Sequence, residues 1–157
     1  MNLFRLRHVP LALALAIASA AAHPDGTCNS PYMGNLIKGQ EDYVYVWTLG
    51  VEGQGDGKDK LVTIDVNPKS KGYGKVVASA SVDERGEAHH MGFTDDRRFL
   101  WAGGLDDSKI VVFDVGSDPA KPKIVKRIND LTAKTGWAGP HTFYALPGRM
   151  IVQGLSS

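Results

Sequence analysis

Leu61-Val-Thr-Ile-Asp-Val-Asn-Pro68 returns, little altered, as Ile110-Val-Val-Phe-Asp-Val-Gly-Ser-Asp-Pro119. Each copy carries β-branched and aromatic residues in a strand-like run. Each then closes on Asp-Val and a turn that holds a proline. Asp65 to Asp114 is 49 residues, Pro68 to Pro119 is 51 and His90 to His141 is 51. A small loop insertion accounts for the drift. A period near fifty residues with four short strands per unit is the arithmetic of a propeller blade.

Working outward, further short β-branched and aromatic runs lie at roughly even spacing. They are Tyr43 to Leu49, Lys75 to Val82, Arg98 to Ala102, Lys123 to Ile128 and Arg149 to Val152, with glycines and prolines in the gaps. No window has a long helical period, and Asn129 to Thr135 suits one turn of helix at most. The expected fold is all-β: a β-propeller over residues 43–157, here about two blades of an incomplete ring. Seven short strands would also suit an immunoglobulin-like sandwich, but a sandwich does not repeat at this period. Two blades cannot close, so faces and edges are left exposed unless neighbours cover them.

The ends have their own character. Residues 1–22 read as a secretory signal peptide: Arg5 and Arg7, a short apolar run from Leu11 to Ile17, then Ala18-Ser19-Ala20-Ala21-Ala22. Cleavage is expected after Ala20 or Ala22, which places the mature chain in the periplasm or outside the cell. No later stretch is apolar enough for a membrane helix. Residues 23–42 are turn-rich and read as an extended lead-in. Cleavage removes two arginines and no acid, which leaves 16 basic against 17 acidic residues. That balance carries no electrostatic footprint for nucleic acid. Cys28 is the one cysteine, so no internal disulfide is available. Arg149 to Leu155 reads as a strand, and the chain stops three residues after Gly154 with no closing element; a truncated C-terminus is expected.

The chemistry-bearing residues are His89, His90 and His141. His90 leads into Met-Gly-Phe-Thr-Asp-Asp-Arg-Arg-Phe-Leu and His141 into Thr-Phe-Tyr-Ala-Leu-Pro-Gly-Arg-Met-Ile. Matching positions in consecutive repeats can point at one place, which makes the three a candidate metal site. The histidine is expected to begin the Arg-Phe-Leu-Trp strand or to lie just before it. Adjacent residues of a regular strand face opposite ways. His89 and His90 therefore share a metal only if the backbone is irregular, for which Gly86 and Gly92 give scope; otherwise one of them packs structurally. Glu87 reads either as a partner orienting a ring or as a solvated loop acid. His23, if it became the mature N-terminus, would offer an amine and an imidazole to a metal ion. Gly53-Gln-Gly-Asp-Gly57 lacks the Gly-Lys-Ser/Thr ending of a phosphate loop and reads as a hairpin loop. Asp106-Asp107-Ser108 reads as a turn, and Trp47, Trp101 and Trp137 as packing aromatics.

Leu61 to Ser70, Glu87-Ala-His-His-Met-Gly92, Ile110 to Lys123 and Gly139-Pro-His-Thr142 together resemble the selenium-binding protein / methanethiol oxidase family, and its secreted bacterial branch most closely. The resemblance covers residues 28–157 and rests on several co-linear motifs. It implies a closed β-propeller of which this chain is the N-terminal third. For the bacterial branch it implies copper-dependent oxidation of methanethiol by dioxygen and water to formaldehyde, hydrogen sulfide and hydrogen peroxide. It also implies that His89, His90 and His141 are copper ligands, with a further family histidine lying beyond this chain. No catalytic side chain and no oligomeric state follow from it. The family's selenium-linked cysteine falls where this sequence has Gly74, in Pro68-Lys-Ser-Lys-Gly-Tyr-Gly74, so selenium binding by that route is not implied. The alternative is a non-catalytic propeller that binds a metal, a selenium compound or a protein.

Overall fold

A computed structural model describes residues 38–156. Residues 1–22, read above as a signal peptide, and His23 and Cys28 lie outside the described residues. Three antiparallel sheets follow one another along the chain. The first holds β1 (Tyr43–Thr48), β2 (Lys60–Asp65) and β3 (Val76–Ser81); the second holds β4 (Ala88–Phe93), β5 (Phe99–Gly104), β6 (Lys109–Asp114) and β7 (Lys123–Ile128). A one-turn helix, α1 (Leu131–Thr135), leads to the third, made of β8 (Ala138–Leu146) and β9 (Arg149–Ser156). Every strand pairs with its sequence neighbour inside a sheet, so each sheet is a simple meander. No described helix is long and apolar enough to cross a membrane.

The two quoted repeats become β2 and β6, and their burial differs. In β2 only Leu61, Thr63 and Asp65 are buried, the alternation of a strand with one covered face. In β6 the run from Ile110 to Phe113 is buried without a break, the pattern of a strand covered on both faces. Phe113 is fully buried in a core with Leu61, Leu100, Ala102 and Val111, which stabilises the fold by roughly 1.5–3 kcal/mol for that side chain. Trp47 of β1 meets Phe113 edge-on, with ring centroids 5.9 Å apart, and its indole N–H donates to the Gly103 carbonyl at 2.9 Å. The Tyr45 hydroxyl donates to the Pro119 carbonyl at 2.8 Å. These contacts join the first sheet to the second.

Two elements differ from the sequence expectation. The histidines do not begin the Arg-Phe-Leu-Trp strand. They lie on strands of their own, β4 and β8, whose low β-branched content hid them. The chain therefore forms nine strands among the described residues rather than seven. The single helical turn falls inside the expected window and ends on Gly136, whose left-handed backbone sends its N–H to the Thr132 carbonyl at 2.8 Å.

Candidate metal centre

Both histidine strands are irregular at the histidines. On β4, Ala88 pairs with Gly104 and Met91 with Ala102, so His89 and His90 together oppose the single Gly103. On β8, Pro140 pairs with Gly154 and Thr142 with Gln153, which leaves His141 as the inserted residue. Each is a β-bulge, the device that re-aims side chains next to sites. The bulge removes the opposite-face problem: the His89 and His90 rings lie 4.5 Å apart, centroid to centroid.

The two strands meet because glycine lets them. A Cβ at Gly92 would lie 2.7 Å from the Phe143 Cβ, and one at Gly103 would lie 2.8 Å from the Pro140 carbonyl oxygen. Gly92 thus serves close approach, while the irregular backbone sits upstream of it at the bulge. With β8 so placed, the His141 ring stands 4.8 Å from that of His89 and 4.2 Å from that of His90. One ligand nitrogen from each of the three falls within 4.8 Å of the others.

The environment suits a metal ion. His90 Nδ1 is buried and has no hydrogen-bond partner; such an orphan costs roughly 1–3 kcal/mol unless something satisfies it. Burial, then the neighbouring His141 and His89, holds the His90 imidazole below the usual histidine range, so its lone pair stays available. His141 Nδ1 sits 3.0 Å from the Thr142 hydroxyl oxygen. In the tautomer that donates to that oxygen, Nε2 keeps a free lone pair. His89 is exposed and the other two are half-buried, so the cluster has an open side. Three imidazoles without a carboxylate or thiolate form a donor set that suits copper, zinc, iron or nickel.

Glu87 takes a left-handed backbone, with φ of 60°. The Asp106 carboxyl that shares a hydrogen bond with it holds Glu87 above the usual carboxylate range. Among the described residues Glu87 makes no hydrogen bond to a histidine ring. Gly103 is the neighbour that the motif reading left unnamed, and neither Thr142 nor Asp106 was given a role beside the cluster there. Gly53 to Gly57 is a turn leading into β2 rather than a helix, as Gln54 donates to the Val51 carbonyl at 3.0 Å. A cleft of about 490 Å³ at the Phe93 end of β4, lined by Glu41, Tyr45 and Arg97 among others, contains none of the three histidines.

Comparison with known proteins places these features in a group. Residues 22–157 match the model of the 56kDa selenium binding protein (SBP56) family. A methanethiol oxidase of Hyphomicrobium sp is 60% identical over 149 residues, covering 93% of this chain and 34% of that protein. A methanethiol oxidase of Ruegeria pomeroyi is 58% identical over 137 residues, covering 87% of this chain and 31% of that protein. The chain thus spans about a third of the length of the curated relatives it matches. Among solved structures, a hypothetical selenium-binding protein from Sulfolobus tokodaii superposes with a TM-score of 0.67 at 30% identity, covering 73% of this chain and 29% of that one.

Proposed function

The chain belongs to the 56 kDa selenium-binding protein family, and from that premise we propose that it is part of an exported, copper-dependent methanethiol oxidase. The observation that carries the proposal is the histidine cluster: three imidazoles from two bulged strands, with one buried nitrogen that has no other partner. The two relatives named methanethiol oxidase supply the substrate. The proposed reaction takes methanethiol, dioxygen and water to formaldehyde, hydrogen sulfide and hydrogen peroxide, in which atoms balance. The mature chain is assigned to the periplasm or the cell exterior on the strength of residues 1–22.

The architecture proposed is a β-propeller. β4 to β7 form one whole four-stranded blade, and β1 to β3 and β8 to β9 belong to the blades on either side. β4 and β8 are then innermost strands, and the histidines stand round the mouth of the central channel.

His89, His90 and His141 would hold the copper. When bound, copper supplies a one-electron couple and a Lewis-acidic seat that favours the thiolate over the thiol; redox-inert zinc would not supply the couple. The residues of the chain do the rest. His90 offers a neutral, half-buried donor, and Thr142 fixes the His141 ring. The exposed edge at His89 leaves room for a small thiol to approach.

Turnover is tested in a chimera in which this chain replaces the matching third of the Hyphomicrobium relative. Copper-loaded chimera should consume dioxygen only when methanethiol is present. His90→Ala and His141→Ala should each lose more than the 10–100-fold typical of removing an outer partner. Unchanged copper content and turnover in both variants would refute the site. Copper bound without any thiol oxidation would favour the non-catalytic, metal- or selenium-binding reading.

A further inference from the structure

Each histidine strand is entered beside a glycine whose N–H is held by a side chain from an earlier loop. The Gly86 N–H, just upstream of β4, donates to Asp59 Oδ2 at 3.0 Å. The Gly139 N–H, at the start of β8, donates to Ser108 Oγ at 3.1 Å. Asp59 and Ser108 hold the same place in the repeat. Each immediately precedes the lysine, Lys60 or Lys109, that opens β2 or β6. They lie 49 residues apart, the same offset as Asp65 and Asp114. One position of the repeat therefore reaches, in both copies, to the backbone that carries the next histidines.

Neither residue is an ordinary loop residue. Asp59 is 1% exposed, and its other oxygen accepts the Gly50 N–H at 2.7 Å. Two backbone bonds, Asp59 N–H to the Glu84 carbonyl at 2.9 Å and Val82 N–H to the Asp59 carbonyl at 3.0 Å, tie the same loop to the linker before β4. A Cβ at Gly86 would collide with the Asp107 carboxylate, and the Gly86 carbonyl accepts the Asp106 N–H at 3.1 Å. Ser108 has φ of 55°, a left-handed backbone that is uncommon for a residue with a Cβ. Glycine would take that conformation without steric strain, yet the position carries a hydroxyl, and the hydroxyl accepts the Gly139 N–H.

We infer that Asp59 and Ser108 are positioning residues for the metal centre, a matched pair of latches that set His89 and His90 against His141. The inference rests on the copper reading of the cluster. Donors from two separate strands make one site only while both strands keep their places to within about 0.5 Å, and the latches act on the backbone two to four residues before each histidine.

The test is a copper(II) titration of the exported chain with electron paramagnetic resonance and thermal unfolding in parallel. Ser108→Gly removes the hydroxyl and relieves the backbone. The expected result is an unfolding midpoint kept or raised, copper affinity weakened about tenfold, and an altered copper spectrum. Ser108→Asp places an oxygen there in a residue that tolerates a left-handed backbone and should restore affinity and spectrum. Asp59→Asn keeps the shape but turns an amide N–H₂ toward one of two N–H donors, so it should lower both affinity and midpoint. Wild-type affinity and spectrum in Ser108→Gly would overturn the latch while leaving the copper reading intact. A wild-type chain that takes up no copper would overturn the copper reading, and the latch with it.

Discussion

Gly92 controls how near the two histidine strands come. A methyl group there would meet the Phe143 Cβ at 2.7 Å and its carbonyl oxygen at 2.9 Å. Phe143 is 3% exposed and has nowhere to yield. Gly92→Ala is therefore expected to cost about 1–3 kcal/mol as an overpacked contact, read as a lower unfolding midpoint. His141 lies two residues before Phe143, so the same variant should weaken copper binding by about tenfold, on the scale of losing a supporting contact. Wild-type binding in a folded Gly92→Ala chain would break the link between strand approach and site. At this scale the histidines were legible from sequence because imidazole is scarce and the repeat set them in register. The role of Gly92 was half legible: it marked a special backbone, but only the packed structure shows that Phe143 is what it admits. Thr142 and Ser108 could not be read, because a hydroxyl acquires meaning only from the ring or amide opposite it.

At the scale of elements, β4 and β8 are the strands that sequence pattern missed. Ala-His-His-Met-Gly-Phe has no β-branched residue, and β8 opens with Ala138, Gly139 and Pro140. Both have low intrinsic strand preference. They form because β5 and β9 offer them a ladder, and bulges absorb the irregular residues. The quoted repeats β2 and β6 were legible because their apolar side chains alternate or run on as the covered faces of strands do. Outside the site, the lead-in is joined to the β4–β5 turn by a bidentate pair. Arg97 donates to the Glu41 carboxylate at 3.0 and 2.8 Å while lying 4.9 Å over the Phe93 ring. The hydrogen bond from Arg97 outweighs partial burial, its charge adds to it, and Glu41 sits below the usual glutamate range. A carboxyl so depressed adds stability above its unfolded pKa and loses it as pH falls through the lower folded value. The pair is partly exposed, so the contribution is small, roughly 0.2–1 kcal/mol. Glu41→Gln should lower the unfolding midpoint at neutral pH, with the gap closing in acid below the glutamate range. A gap that stays constant with pH would disprove the assignment.

Across the whole molecule, the three sheets hold three, four and two strands. The buried core lies where the first sheet meets the second, whereas apolar side chains on the outer sheets stay open: Val76 is 61% exposed, Ile151 52% and Leu155 55%. Such patches mark surfaces made for a partner, and in the propeller proposed here the partners are the neighbouring blades. The centre draws His89 and His90 from one sheet and His141 from the next, so it tests local geometry and inter-sheet packing together. The most direct measurement is pulsed electron paramagnetic resonance of the copper(II)-loaded chain, counting imidazoles on the metal. One copper per chain with three imidazoles is expected, unchanged in His23→Gln and reduced to two imidazoles or lost in His90→Ala and His141→Ala. Copper held equally by the wild type and by both of those variants, or lost on changing His23 alone, would contradict a centre built from the two histidine strands.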